Sequence, residues 1–215
     1  LEFNKNKQHN LFLTLFLLIL SLPIYIWGES FSWNFEFFSL YLLFPLLGML
    51  AFSIMWTQVV VGKFKNHFNK IFSTHKFFVR TGLTVLILFL SHPIVAAIAQ
   101  WNSSKLLPIE SLFSLVGSSQ KVFITFAVIA FVSFVMYEFV LRMSRFKIVQ
   151  RITPFVEFFS SIGVILVWVH SINIGSHLQT GSLRIIWWFY GITTILIILH
   201  TYSRIVFKKL KKNKK

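Results

Sequence analysis

Two histidines, His92 and His170, lie inside apolar segments of this chain, where a polar side chain is costly unless it has a partner or a purpose. They stand about 14 and about 15 residues from the start of their segments. With a helical rise of about 1.5 Å per residue, both histidines lie about 21 to 23 Å from the end at which their helices begin. Two imidazoles at matched depth on different helices are what bis-histidine haem ligation requires, with a neutral nitrogen donor on each face of one porphyrin. Such a closed iron transfers electrons and does not bind oxygen.

The elements that must position these histidines are predicted to be membrane-spanning helices. Hydrophobic residues make up 56% of the chain and charged residues only 13%, unlike the composition of a soluble domain. Windows of about 20 apolar residues, enough for a helix to cross about 30 Å of hydrocarbon, occur in six places. They span about residues 11–27, 37–61, 78–99, 122–141, 155–174 and 185–206. None of them alternates as a β-barrel strand would. We predict an all-α bundle of six transmembrane helices, forming one domain over residues 1–215 with no soluble domain.

Basic residues concentrate on alternate loops of this predicted bundle. All but Lys105, Lys121 and Arg184 of the 21 Lys and Arg residues lie near the N terminus, in the second and fourth loops, or in the C-terminal tail. Because cytoplasmic loops carry such an excess, both termini are predicted to be cytoplasmic in a multi-pass protein of the plasma or inner membrane. The net charge of +15 then reflects topology and attraction to anionic membrane lipids, and no nucleic-acid partner is expected.

Composition also restricts the chemistry. The chain has no cysteine, which excludes disulfides, thiolate-ligated iron-sulfur clusters and cysteine nucleophiles. It contains no glycine motif for nucleotide binding, so we expect no FAD or NAD(P) site. No catalytic residue is predicted, and any oxidoreductase activity is expected to need a partner.

The segments around the two histidines resemble a known family. RTGLTVLILFLSHPI, residues 80–94, is similar to the third helix of the ferric-reductase-like transmembrane domain of ferric reductases, NADPH oxidases and bacterial haem membrane subunits. VEFFSSIGVILVWVHSINIGSH, followed by LRIIWWFYG, resembles the fifth helix, the outer loop and the start of the sixth. FPLLGMLAFSIMWTQVVVGKF resembles the second helix, so the resemblance covers about residues 37–206.

The resemblance implies a specific ligand set with one departure. Members of the family usually carry two histidines on each of these helices, about 13 or 14 residues apart, for an inner and an outer haem. In this chain the inner positions are occupied by Phe78 and Glu157. The resemblance therefore implies at least one b-type haem in the outer leaflet, with His92 and His170 as axial iron ligands, and an inner pair that has been replaced.

Several interpretations of Glu157 remain open. It can be a carboxylate near the cytoplasmic interface that reaches Arg151 or another basic residue. It can bind a proton or a quinol. It can pair with His200, which is predicted at similar depth on the sixth helix. An unconventional inner haem would instead use His75 or His200.

The sequence as a whole predicts a haem b-binding electron-transfer protein of the ferric-reductase-like type. Electrons would pass from a quinol or a separate flavin reductase to an extracytoplasmic acceptor, with quinone as a second candidate cofactor and membrane lipids as the surroundings. The alternative is a polytopic membrane protein without redox chemistry, either a transporter or a degenerate scaffold. In that case His92 and His170 would make structural hydrogen bonds only.

Overall fold

The computed structural model describes residues 2–105, 110, 113, 116–143 and 145–213. Six long helices form the fold, and no β-strand occurs in the described part of the chain. They are α1 (Glu2–Glu29), α2 (Leu40–Lys63), α3 (Thr74–Ser104), α4 (Lys121–Arg142), α5 (Lys147–Ile174) and α6 (Gly181–Asn213). A four-residue helix, Lys65–Phe68, and three short 3-10 segments lie in the connections.

Each long helix contains a stretch that is long and apolar enough to cross a membrane, which confirms the six predicted apolar helices. The helices extend beyond the apolar windows; α5, for example, begins at Lys147, well before residue 155. Apolar composition marks the part of a helix suited to hydrocarbon, whereas backbone hydrogen bonding continues into the polar flanks. The second window starts too early, because Phe35–Phe37 form a separate 3-10 turn and α2 begins only at Leu40.

The helices pack in two close pairs, α2 with α3 and α4 with α5. Helix α6 lies against α5 and α2, and α1 lies against α2. By contrast α3 and α5, which carry His92 and His170, are not among the helix pairs that pack extensively. We call the end at which α3 and α5 begin the basic end, because Lys63, Lys76 and Arg151 lie there, and we call the opposite end the histidine end.

The tightest core lies toward the histidine end, where α2, α5 and α6 meet. Trp187 is 1% exposed and donates from Nε1 to the Ser171 hydroxyl at 2.9 Å. Trp168 donates from Nε1 to the Trp187 carbonyl, also at 2.9 Å. Its indole occupies the space that a side chain on Gly191 would fill. These contacts fix α5 against α6 close to His170.

Helices α3 and α4 present broad apolar surfaces outward. Only 11% of the apolar stretch of α3 and 6% of that of α4 is buried within the protein. Exposed side chains on these surfaces include Leu83, Ile87, Ile94, Val128 and Val132. A helix that is apolar all round suits contact with lipid.

Candidate functional site

His92 is held against α2 by one hydrogen bond and one close packing contact. Its Nδ1 lies 2.6 Å from the backbone carbonyl oxygen of Phe44. The imidazole lies close to Gly48, where an added Cβ would be only 3.1 Å from both Cε1 and Nδ1 of the ring. Glycine at this position therefore lets the imidazole approach the backbone of α2.

His170 repeats this arrangement on the other helix pair. Its Nδ1 lies 2.8 Å from the backbone carbonyl oxygen of Phe123 on α4. In both cases the histidine bonds to the helix that precedes its own in the chain. Since a carbonyl oxygen only accepts, each Nδ1 carries the proton, and each Nε2 keeps its lone pair. A histidine that ligates a metal is normally oriented in this way by a carbonyl or a carboxylate.

The two imidazoles are close enough to interact electrostatically. Both residues keep partial exposure, and their helices belong to different close pairs. Within the described residues, neither Nε2 takes part in a hydrogen bond. His92 and His170 are therefore two oriented nitrogen donors on separate helices, the donor type that would hold the iron of a b-type haem.

A cavity of about 470 Å³ lies between this histidine pair and the basic end. Residues from the helices α2 to α6 line it, and most of them are apolar. Its aromatic wall includes Phe89, which stacks on Phe131 at 6.2 Å and meets Phe134 edge-on at 5.2 Å between ring centres. These three rings form the end of the cavity nearest to His92.

Polar side chains gather at the other end of the cavity. Tyr137 lies within electrostatic reach of Glu138, Glu157 and Tyr202, all of which line the cavity. The hydroxyl of Tyr202 is 3.1 Å from that of Ser161. Two carboxylates and two phenols therefore line this cavity together with Gln58 and Lys63. The Glu157 side chain is also exposed at the surface of the protein.

Further contacts constrain Glu138 and the cavity-lining residue Gln58. Glu138 lies 3.9 Å from Arg142 at the basic end, measured from carboxylate oxygen to guanidinium nitrogen. An added Cβ on Gly82 would meet the Glu138 carboxylate at 3.5 Å, so this carboxylate also faces α3. Gln58 donates from Nε2 to the Thr81 hydroxyl at 2.9 Å, which links α2 to α3 at the same level.

The residues considered for an inner site separate into two groups. Phe78 and Glu157, at the replaced ligand positions, both line the cavity. His75 and His200 are exposed and are not part of its lining. In the described part of the chain Glu157 forms no ion pair with Arg151 or His200.

No histidine lines the cavity, so its residues do not fit a bis-histidine inner haem. Nor does any group of three or more His, Asp or Glu side chains that could hold a metal ion occur among the described residues.

Comparison with known proteins identifies no relative: no family model, curated protein or solved structure matches this chain. The resemblance to the ferric-reductase-like domain therefore stays a prediction, and function must be argued from the geometry.

Sequence reasoning missed several residues that shape these two regions. Gly48 and the carbonyls of Phe44 and Phe123 orient the histidines, but a backbone acceptor leaves no signature in the sequence. Glu138 and Gln58 did leave one, since each is a polar residue inside an apolar window.

Proposed function

We propose that this chain is a multi-pass protein of the cell membrane that binds a b-type haem through His92 and His170 and passes electrons to an extracytoplasmic acceptor. The six helices cross the bilayer with both termini in the cytoplasm, so the basic end faces inward. The observation that supports the proposal best is the matched pair of Nδ1–H hydrogen bonds to the carbonyls of Phe44 and Phe123. These bonds leave two Nε2 lone pairs on two separate helices.

The protein's contribution is the orientation of the two imidazoles. Each carbonyl fixes one tautomer, prevents rotation of the ring and makes Nε2 a better donor. Gly48 brings one imidazole close to α2, and the tryptophan contacts of α5 with α6 hold the helix that carries the other. A haem held by these two nitrogens would supply one-electron chemistry.

The surroundings determine where electrons can enter and leave. His92 and His170 lie toward the histidine end, which faces the outside in the proposed orientation, so an extracytoplasmic acceptor can approach. The donor is a quinol within the membrane or a separate flavin reductase on the cytoplasmic side. The basic loops at the cytoplasmic end face anionic lipid head groups.

A reduced-minus-oxidised absorbance spectrum of the detergent-purified protein, with haem-to-protein stoichiometry, tests this proposal. We expect one haem per chain in the wild type and loss of the b-type α-band in His92→Ala and in His170→Ala. His200→Ala is the matched control, because it removes an exposed imidazole that lies outside the cavity lining, and it should retain the full spectrum. A wild-type protein that binds no haem when haem is supplied would refute the proposal and favour a membrane protein without redox chemistry.

A further inference from the structure

The cavity occupies the part of the membrane that a single outer haem leaves without a cofactor. Phe89 at its upper end precedes His92 by three residues, a rise of about 4.5 Å. Val164, which also lines it, precedes His170 by a rise of about 9 Å. Glu157 at its polar end lies about 20 Å below His170 along α5. A molecule in this cavity would therefore touch the polar cluster at one end and lie near the histidine pair at the other.

Size and wall chemistry restrict what this molecule can be. About 470 Å³ falls within the range of about 300 to 1,000 Å³ typical of small-molecule sites. The upper walls are aromatic and aliphatic, and the rings of Phe89, Phe131 and Phe134 favour a flat apolar ligand. A second haem would need imidazoles that this lining does not contain.

The polar end adds acceptors for hydroxyl protons. Glu157 lines the cavity without an ion pair in the described part of the chain, whereas the Glu138 carboxylate is shared with Arg142. A carboxylate accepts strongly from a phenol-type hydroxyl, and the neighbouring Tyr137 adds a second polar contact. The described residues contain no group of three or more His, Asp or Glu side chains that could hold a metal ion, which argues against a cation at this end. A neutral aromatic ring with hydroxyl groups can pack against the aromatic rings at one end of the cavity and donate hydrogen bonds to the carboxylate at the other.

We propose that this cavity binds the head group of a lipid-soluble para-quinol, with Glu157 as the acceptor of one ring hydroxyl. This inference rests on the proposed function for the destination of the electrons. Oxidation of the quinol to the quinone breaks two O–H bonds and releases two protons and two electrons. The protons leave through Glu157 toward the cytoplasmic solvent. A haem held by His92 and His170 would carry the two electrons one at a time, so the extracytoplasmic acceptor would be reduced twice for each quinol oxidised.

Equilibrium binding of a short-chain benzoquinol to the full chain in lipid nanodiscs tests the site without any activity measurement. We expect saturable binding that Glu157→Gln weakens about tenfold or more, since a charge-assisted hydrogen bond is lost. Ser160→Phe should weaken it similarly, because its ring would fill the cavity. Glu36→Gln is the matched control, because it makes the same chemical change outside the cavity at the histidine end, and its binding should equal that of the wild type. Size-exclusion profiles and circular dichroism verify that each variant is folded.

The same titration in the His92→Ala, His170→Ala double variant separates this inference from the proposed function. Quinol binding that persists without haem supports the site by itself. A wild type that binds haem but shows no saturable quinol binding overturns the inference and leaves the proposed function intact. Binding that is equal in the wild type, Glu157→Gln and Ser160→Phe would also overturn it, because the quinol would then lie elsewhere.

Discussion

Replacing Gly48 with alanine should separate the stability of the protein from its haem affinity. The new Cβ would lie 3.1 Å from Cε1 and Nδ1 of His92, closer than ordinary carbon contacts of about 3.5 to 4.0 Å. The imidazole would have to retreat by a few tenths of an ångström. Its 2.6 Å bond to the Phe44 carbonyl would then lengthen or bend. Losing the orienting partner of a ligating histidine typically costs about 10- to 100-fold in affinity for the metal.

The effect on stability should be small or of opposite sign. Alanine is favoured over glycine within a helix by about 0.5 to 1 kcal/mol, which offsets the local crowding. We therefore expect Gly48→Ala to unfold within a few degrees of the wild type while it binds haem at least about tenfold more weakly. No general destabilisation would produce that combination.

Haem titration of the apo-protein, followed at the Soret band, measures the affinity, and thermal unfolding by circular dichroism measures the stability. Gly62→Ala is the matched control on the same helix, because its Cβ would meet only the edge of Phe78 at an ordinary 3.7 Å. That variant should bind haem like the wild type. If Gly48→Ala also binds haem with wild-type affinity and an unchanged spectrum, the orienting role of the Phe44 carbonyl is refuted.

Two other perturbations test the packing and the electrostatics near the histidine end. Gly191→Ala places a Cβ within the indole of Trp168, whose Nε1 is already bonded to the Trp187 carbonyl. This overpacking should destabilise the protein by about 1 to 3 kcal/mol and lower its melting temperature. An unchanged melting temperature would show that the indole can move aside. His177 lies in the 3-10 turn before α6, and burial lowers the pKa of its imidazole below the usual 6.5. The folded protein therefore favours the neutral imidazole. The contribution of His177 to stability is fully present above pH 6.5 and is lost as the pH falls toward the lowered pKa, because the unfolded chain then binds the proton more readily. Melting temperatures should drop more between about pH 7.5 and pH 5.5 in the wild type than in His177→Gln, and identical drops would rule out His177 as the cause.

The sequence alone determined the number and the approximate positions of the helices. Crossing hydrocarbon demands about 20 apolar residues, and such a window stands out whatever the helix later packs against. The depth of a residue in the membrane can be predicted in the same way, because the rise per residue of a helix is fixed. Counting residues from the start of each helix predicts the same depth for His92 and His170. Window edges were less accurate, as at residue 37, because a 3-10 turn and a helix can share one apolar run.

Only the tertiary structure decided how the helices are rotated and which of them touch. A helix that is apolar on every face gives little information about its orientation, since lipid and protein offer it similar surroundings. The Phe44 and Phe123 carbonyls therefore became visible as histidine partners only once α2 was packed on α3 and α4 on α5. The sequence alone identified Glu157 as a carboxylate within an apolar segment, where a charged side chain is energetically costly. The cavity that it shares with Tyr137 depends on the packing of five helices, and no local pattern encodes that packing.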